Sequence, residues 1–518
     1  MDKEIKSKWP GIALVIILLM VAAEVFSIYK IQSTGMLPSH YLIMLIVAMG
    51  VATLVIILLL VLGAHKKARV GTMIRRAVAV LLALCLMLGS LLMVQVLGKV
   101  SSAVSQVTDQ EKTLEAMFGV YVKADDSAES LADAADYTFG IIQQFETNHT
   151  QEAITKIEKS LGKEIKTTSF DSMTEAANAL LNTGEVDALI MNEAYVSLIE
   201  EDENYQDFDE KTKILEDISI EKEKEDTAEA DKSGDSDNIT VDPFCVYISG
   251  SDTRSAILDR SNSDVNILMV VNPSTKQILL LNTPRDYFVS NPAATGDVRT
   301  MDEGDLSAMD KLTHCGIYGV ECSMGALEYL YDTHIDYYGQ INFTGFEKLI
   351  DAIGGVTVTA PEDFTADGYS YKKGENYLNG AQALAFARER HSFASGDNQR
   401  GLDQMEVITA VINKVTSSKS TVLNNYEEIL NSLSGMISTD LTSDDIRSLI
   451  RMQLEEMPSW NIKQFAVTGQ GGSEVNYSLR SMSVYVMYQN AELVQQASDL
   501  IKKVENGEVL TDEDVSTK

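Results

Sequence analysis

Cys245-Val-Tyr-Ile-Ser249-Gly-Ser-Asp-Thr-Arg254, Asp264-Val-Asn-Ile-Leu-Met-Val-Val271 and Gln277-Ile-Leu-Leu-Leu-Asn282-Thr-Pro-Arg-Asp286 each open or continue as a short apolar run bounded by turn-forming residues. Runs of this length, rich in Val, Ile and Tyr, read as three early strands. Pro273-Ser-Thr-Lys276 joins the last two as a hairpin-like connection. Helical patterns follow at Gly319–Tyr331 and Phe343–Ile353, and Gly354-Gly355 stops the second before Val356-Thr-Val358. Further helices are predicted at Gly380–Leu384, Gly401–Val415 and Asn490–Val504, with a strand at Ile462–Val467. That order gives an α/β (α+β) domain, a mixed central sheet flanked by helices, over residues 241–518.

Upstream, residues 211–240 are crowded with Glu, Asp and Lys and read as an acidic linker. Residues 101–210 begin with a polar stalk. They continue as Phe118–Val122 (strand), Gln151–Leu161 (helix), Ile165–Phe170 (strand), Met173–Leu181 (helix) and Val186–Met191 (strand). This βαβ rhythm predicts a small α/β accessory domain with a parallel sheet. Residues 1–100 hold three apolar stretches, Gly11–Tyr29, Tyr41–Ala64 and Ala77–Leu97. Each is near the ~20 residues that a helix needs to cross hydrocarbon. Glu24 alone interrupts them with a charge, and its place near the end of the first predicts an interfacial carboxylate.

Lys3, Lys6 and Lys8 precede the first stretch, and Lys66, Lys67, Arg69, Arg75 and Arg76 crowd the connection between the second and third. The positive-inside rule puts both on the cytoplasmic side and everything after the third crossing outside. A formal net charge of −34 makes that exported part acidic and unsuited to nucleic acid. An anionic ligand must then be met by a local cationic pocket. Among the cysteines, Cys315 and Cys322 close a short loop outside the cytoplasm and are expected to pair, with Cys245 buried.

Three features carry chemistry. Asp252 and Asp264 flank strand ends and can converge on a hard cation such as Mg²⁺, although aspartates at such places also cap turns. Arg285 follows the third strand, where open sheets expose a ligand crevice; a salt bridge to Asp286 is the plainer alternative. Ala385-Phe-Ala-Arg-Glu-Arg390 and Gly396-Asp-Asn-Gln-Arg400 supply Arg388, Arg390 and Arg400. If 385–390 is extended, Arg388 and Arg390 share a face, and their planar forks suit phosphate oxygens. A solvated charge run is the other reading. His314 and His391 lie near these motifs and could move a proton or simply hydrogen-bond. The chain has no Gly-x-Ser-x-Gly elbow, P-loop or His-Glu-x-x-His.

Gly250-Ser-Asp, Arg260–Asp264, Val271–Pro273, Pro284-Arg-Asp286, Lys311-Leu-Thr-His314, Ile353–Val356, Ala381–Arg390 and Gly396–Gln404 occur in the order found in the LytR-CpsA-Psr family. The resemblance spans residues 241–485, and the three spans and accessory domain look like its capsular-polysaccharide branch. It implies transfer of a glycopolymer phosphate from a polyprenyl-pyrophosphate carrier to peptidoglycan. It further implies Mg²⁺ (or Mn²⁺) on Asp252 and Asp264, and pyrophosphate on Arg285, Arg388, Arg390 and Arg400. Arg254, Asp397, Gln399 and Gln404 would support the substrate, and a polyprenyl chain would fill an apolar tunnel lined by residues from 327 to 353. Asp403 stands where many members carry a basic residue. Capsule export and assembly proteins are the partners such a chain would meet in the cytoplasmic membrane. A non-catalytic scaffold that binds lipid-linked glycan is the alternative, whereas an acidic exported domain with no helix-turn-helix does not fit a transcriptional regulator.

Overall fold

The computed structural model describes residues 9–35, 37–62, 69–108, 112–143, 147–223, 238–251, 260–295, 308–417, 436–480 and 482–516. Two compact units divide the chain.

The first unit holds helices α1 (Trp9–Ser33), α2 (Ser39–Val61) and α3 (Arg69–Thr108). All three are long and apolar enough to cross a bilayer, over Trp9–Ser33, Ser39–Val61 and Val70–Lys99. The polar stalk expected from residue 101 is instead the end of α3 up to Thr108, because nothing in Ser101–Thr108 breaks a helix. Glu24 is packed between helices: it is only 7% exposed and accepts the Thr53 hydroxyl from α2 at 2.6 Å. In an apolar helix bundle such a pair joins neighbouring helices, since lipid offers the carboxylate no partner. Helix α13 (Ser443–Glu456), inserted late in the chain, groups with this unit, and His40 lies 3.3 Å from its Glu455.

Among the described residues the second unit contains two large sheets and four two-stranded ones. The accessory domain has β1 (Lys112–Lys123), β2 (Thr138–Ile142), α4 (Thr147–Leu161), β3 (Lys166–Phe170), α5 (Met173–Asn178), β4 (Ala188–Asn192), α6 (Tyr195–Ile199), α7 (Phe208–Lys211) and β5 (Thr212–Glu223). Its strand order is β3-β2-β4-β1-β5. β2 is parallel to β3 and β4, but β1 is antiparallel to β4 and β5, so the sheet is mixed rather than parallel. The head of the expected linker is therefore a strand. In β5, Ile218 and Ile220 are buried in the domain core, while Glu216 and Asp217 before them and Glu221, Lys222 and Glu223 after them keep the segment charged.

The larger domain follows as β6 (Phe244–Ser251), β7 (Val265–Asn272), β8 (Gln277–Asn282), β9 (Phe288–Ser290), β10 (Met309–Lys311), α8 (Leu312–Cys315), α9 (Val320–Tyr331), β11 (Tyr337–Asn342) and α10 (Phe343–Ala352). It continues with β12 (Val356–Ala360), β13 (Phe364–Ala366), β14 (Tyr369–Tyr371), β15 (Gly374–Leu378), α11 (Gly380–Arg388) and α12 (Asp397–Thr416). Last come β16 (Ile437–Thr439), β17 (Asn461–Ala466), β18 (Gly469–Val475), β19 (Ser483–Gln489) and α14 (Ala491–Glu505). The central sheet has the order β16-β11-β6-β7-β8-β17, with β11 parallel to β6, β17 parallel to β8, and β6, β7 and β8 mutually antiparallel.

Side-chain alternation decides what each face does. Cys245, Tyr247, Leu268, Val270, Leu279 and Leu281 join a core with Leu327 and Tyr331 of α9 and Leu500, Ile501 and Val504 of α14. Val246, Ile248 and Met269, one residue out of step, face a cavity on the other side with residues of α10, α11 and α12. The two faces of one sheet thus divide stability from binding.

Candidate active site

The strand register gathers the site. Gly250 pairs with Val265 and Ile267 with Asn282, so the end of β6, the start of β7 and the end of β8 meet at one edge. Asp264 just precedes β7 and Arg285 lies just past β8, and Arg285 Nη1 donates to Asp264 Oδ1 at 2.7 Å. The plainer alternative, an Arg285–Asp286 bridge, exists only as a longer contact of 3.9 Å from Nε. Burial works against the Arg285 charge, yet Asp264, Asp286 and Asp397 outweigh it and hold the guanidinium above its ordinary pKa. Asp252 and Arg254 lie outside the described residues.

Residues 385–388 are not extended. Asn379 and Gln382 form a capping box that starts α11, which runs through Ala383–Ala387 to Arg388. Arg388 is the last helical residue and Glu389 turns extended, so Arg388 and Arg390 are not alternate residues of one strand. Both still line the cavity, but Arg388 lies over the Phe343 ring at 4.5 Å and near Asp367 at 3.7 Å. Arg390 instead joins the field of Asp397 and Arg400.

Helix α12 begins at Asp397 and brings Arg400 inward, where the two are ion-paired. Burial lowers the Arg400 pKa and raises that of Asp397, as expected for charges drawn out of water. Arg400 reaches this position because α12 lies against β8: a Cβ on Gly401 would come within 2.2 Å of Asn282 Nδ2. Gly401→Ala is expected to cost about 1–3 kcal/mol by overpacking. A lowered Tm would register it, and an unchanged Tm would contradict the close approach.

Gln404 lines the cavity and donates to the Ala387 carbonyl at 3.4 Å. Gln399 does not line it; its amide donates to Asp403 at 2.9 Å. Burial pushes Asp403 up to about 7, with Glu406 and Glu389 adding to the rise, and its Oδ2 is buried without a hydrogen-bond partner among the described residues. Asp403 does not line the cavity and is bonded to Gln399 one turn earlier on α12. Cys315 and Cys322 are buried free thiols, not the expected disulfide; the Cys322 thiol donates to Asn291 at 3.1 Å.

The cavity measures about 650 Å³. Asp264, Arg285, Arg388, Arg390 and Arg400 share it with Phe343, Phe346, Leu349, Val407, Val411 and Ile412. Cations and a large apolar surface in one cavity suit an amphiphile with an anionic head. Phe343, Phe346 and Leu349 fall within the expected tunnel segment, while Val407, Val411 and Ile412 of α12 were not anticipated. Among the described residues no group of three or more His, Cys, Asp and Glu could hold a metal alone. Asp264 facing the cavity fits a hard ion that completes its shell with phosphate and water.

His314 lies elsewhere. Its Nδ1 is 2.7 Å from Asp310 and its Nε2 is 3.2 Å from Glu201 of the accessory domain. Lys311 also reaches Glu201, at 2.8 Å. Sequence reasoning missed Glu201, since one acid in the run Glu200-Glu-Asp-Glu203 carries no distinguishing signal.

Residues 211–501 match the family model described as the LytR_cpsA_psr family. An Enterococcus faecalis protein named polyisoprenyl-teichoic acid–peptidoglycan teichoic acid transferase TagU is 32% identical over 225 residues, covering 43% of this chain and 70% of that one. The Bacillus licheniformis and Bacillus subtilis proteins of the same name are 33% and 32% identical, and the matches cover 65% and 62% of their lengths, a little under two thirds.

Proposed function

We propose, from the premise that this chain belongs to the LytR_cpsA_psr family, that it transfers a glycopolymer phosphate from a polyprenyl-pyrophosphate carrier to peptidoglycan. The observation that carries this reading is the single cavity in which Arg285, Arg390 and Arg400 adjoin a long apolar lining. A pyrophosphate head on the arginines and an isoprenoid tail along Phe346, Leu349, Val407 and Val411 would use both halves. The polymer is a phosphate-linked wall glycan of the teichoic-acid or capsular class.

In the reaction a peptidoglycan hydroxyl oxygen attacks the glycan-side phosphorus, forming the new phosphodiester. The pyrophosphate bridge breaks and polyprenyl phosphate leaves. Asp264 or Asp252 takes the hydroxyl proton. Arg285, Arg390 and Arg400 stabilise the charge on the phosphoryl oxygens and leaving group, and α12 orients Arg400. Asp264 and Asp252 would hold Mg²⁺ or Mn²⁺, which would supply further charge neutralisation. Lys3, Lys6, Lys8 and the basic connection after α2 support a cytoplasmic N-terminus with the two later domains outside.

The test is full-length protein with lipid-linked glycan, Mg²⁺ and peptidoglycan fragments. Product phosphodiester and free polyprenyl phosphate are expected in equal amounts, and chelation with EDTA should abolish both. Binding of the lipid with no turnover would favour a scaffold over a transferase, and undiminished turnover in EDTA would remove the metal from the scheme.

A further inference from the structure

We propose that Glu201, carried by the accessory domain, is a positioning residue for transfer: it holds Lys311 off Asp286 and so keeps Asp286 behind Arg285. The inference rests on the transferase reading above.

The Lys311 side chain is 5% exposed, so its charge needs an anion close by. Two carboxylates are in reach, Glu201 Oε1 at 2.8 Å and Asp286 Oδ1 at 3.5 Å. The same Asp286 Oδ1 lies 3.9 Å from Arg285 Nε. Lys311 and Arg285 therefore compete for one atom, and Glu201 decides the competition by taking the ammonium. Without Glu201 the nearest remaining carboxylate for Lys311 is Asp286. Tightening that pair would weaken the rear support of the guanidinium whose front is bound to Asp264.

The geometry around Glu201 makes it a fixed point. Its Oε1 is shared between Lys311 and His314. Its Oε2 is buried with no hydrogen-bond partner among the described residues, so Oε1 alone sets the carboxylate. Burial opposes the charge, but His314 and Lys311 hold its pKa down to about 2. Beyond His314, Asp310 is anchored by Asn291 and by the Ser478 amide and hydroxyl. The backbone that carries Glu201 follows α6, whose Leu198 and Ile199 share an apolar cluster with Ile317, Leu479 and Val484 of the larger domain. Docking of the accessory domain thus sets where Lys311 points. The domain completes the electrostatics of a site that it does not line.

Full-length wild type, E201Q, K311M, the E201Q/K311M double variant and S197A are compared for transfer and Tm. Ser197 also bridges the domains, through Asn262, but stands outside the charge relay. E201Q should lower kcat about tenfold with a smaller change in KM, and K311M should remove most of that loss by leaving no ammonium to collapse on Asp286. S197A should transfer like wild type. If E201Q alone fails to fold, the double variant compared with K311M carries the same test, with equal kcat expected. Wild-type kcat in E201Q overturns the proposal. So does an equal loss from E201Q in both backgrounds, or a loss in S197A as large as in E201Q. Inactive wild type overturns the transferase reading itself, whereas active wild type with indifferent E201Q overturns this inference alone.

Discussion

Arg285→Ala is expected to lower transfer by about 10³-fold, the range seen when an arginine that stabilises a phosphoryl-transfer transition state is removed. Arg285 lies at the sheet edge where Asp264 fixes one end of its guanidinium at 2.7 Å and Asp286 backs the other. A side chain held by that ion pair needs little reorganisation when charge develops on the phosphate, and preorganisation is where such sites gain rate. Arg285→Lys should recover only part of the activity. An ammonium restores the charge but cannot hold Asp264 and a phosphate oxygen in one plane. The Tm of Arg285→Ala should stay near that of wild type, since its aliphatic stem is partly exposed and lines a cavity rather than the core. Transfer within tenfold of wild type would sink the assignment and shift the anion-binding role towards Arg390 and Arg400.

The sheet was legible because β6, β7 and β8 are short apolar runs with turn residues between them, and the hairpin at Pro273–Lys276 fixes their pairing. The meeting of Asp264 with Arg285 was not legible in the same way, because it depends on the register that brings the start of β7 beside the end of β8. The Arg388–Arg390 face was misread for a local reason. Ala383, Ala385 and Ala387 favour helix, and the cap that starts it, Asn379 with Gln382, lies upstream of the arginines. β5 was misread because charge dominated its composition, although Ile218 and Ile220 alternate inward. The α12 wall of the cavity was hidden in a different way. Val407, Val411 and Ile412 read as an ordinary core stripe, and only the tertiary arrangement turns that stripe towards a void. Glu201 had no sequence signal, since its importance comes from a lysine and a histidine more than a hundred positions away.

Asp310→Ala is expected to be the most destabilising of these substitutions, at about 3–5 kcal/mol, because it removes the closer counter-ion of the buried His314 and leaves the Lys311 amide and Ser478 without their acceptor. Asp310 is fully buried, and its carboxylate holds His314 at 2.7 Å, the Lys311 amide at 2.8 Å and the Ser478 hydroxyl at 2.6 Å. Burial would lower the His314 pKa, but Asp310 and Glu201 raise it to about 9. A folded-state pKa above the ordinary value of about 6.5 means that protonation favours the fold. That contribution is complete below the unfolded value and drains away as pH rises through about 9. Wild-type Tm should therefore fall between pH 7 and 9. In Asp310→Ala the imidazole keeps only Glu201, its pKa drops, and the decline should move to lower pH and shrink. Melting curves of both proteins across that window decide the matter. A loss below about 1 kcal/mol with the wild-type pH slope intact would show that Ser478, Asn291 and Glu201 hold the loop without Asp310. The expected result instead places the anchor of the Lys311–Glu201 relay in a carboxylate that never touches substrate.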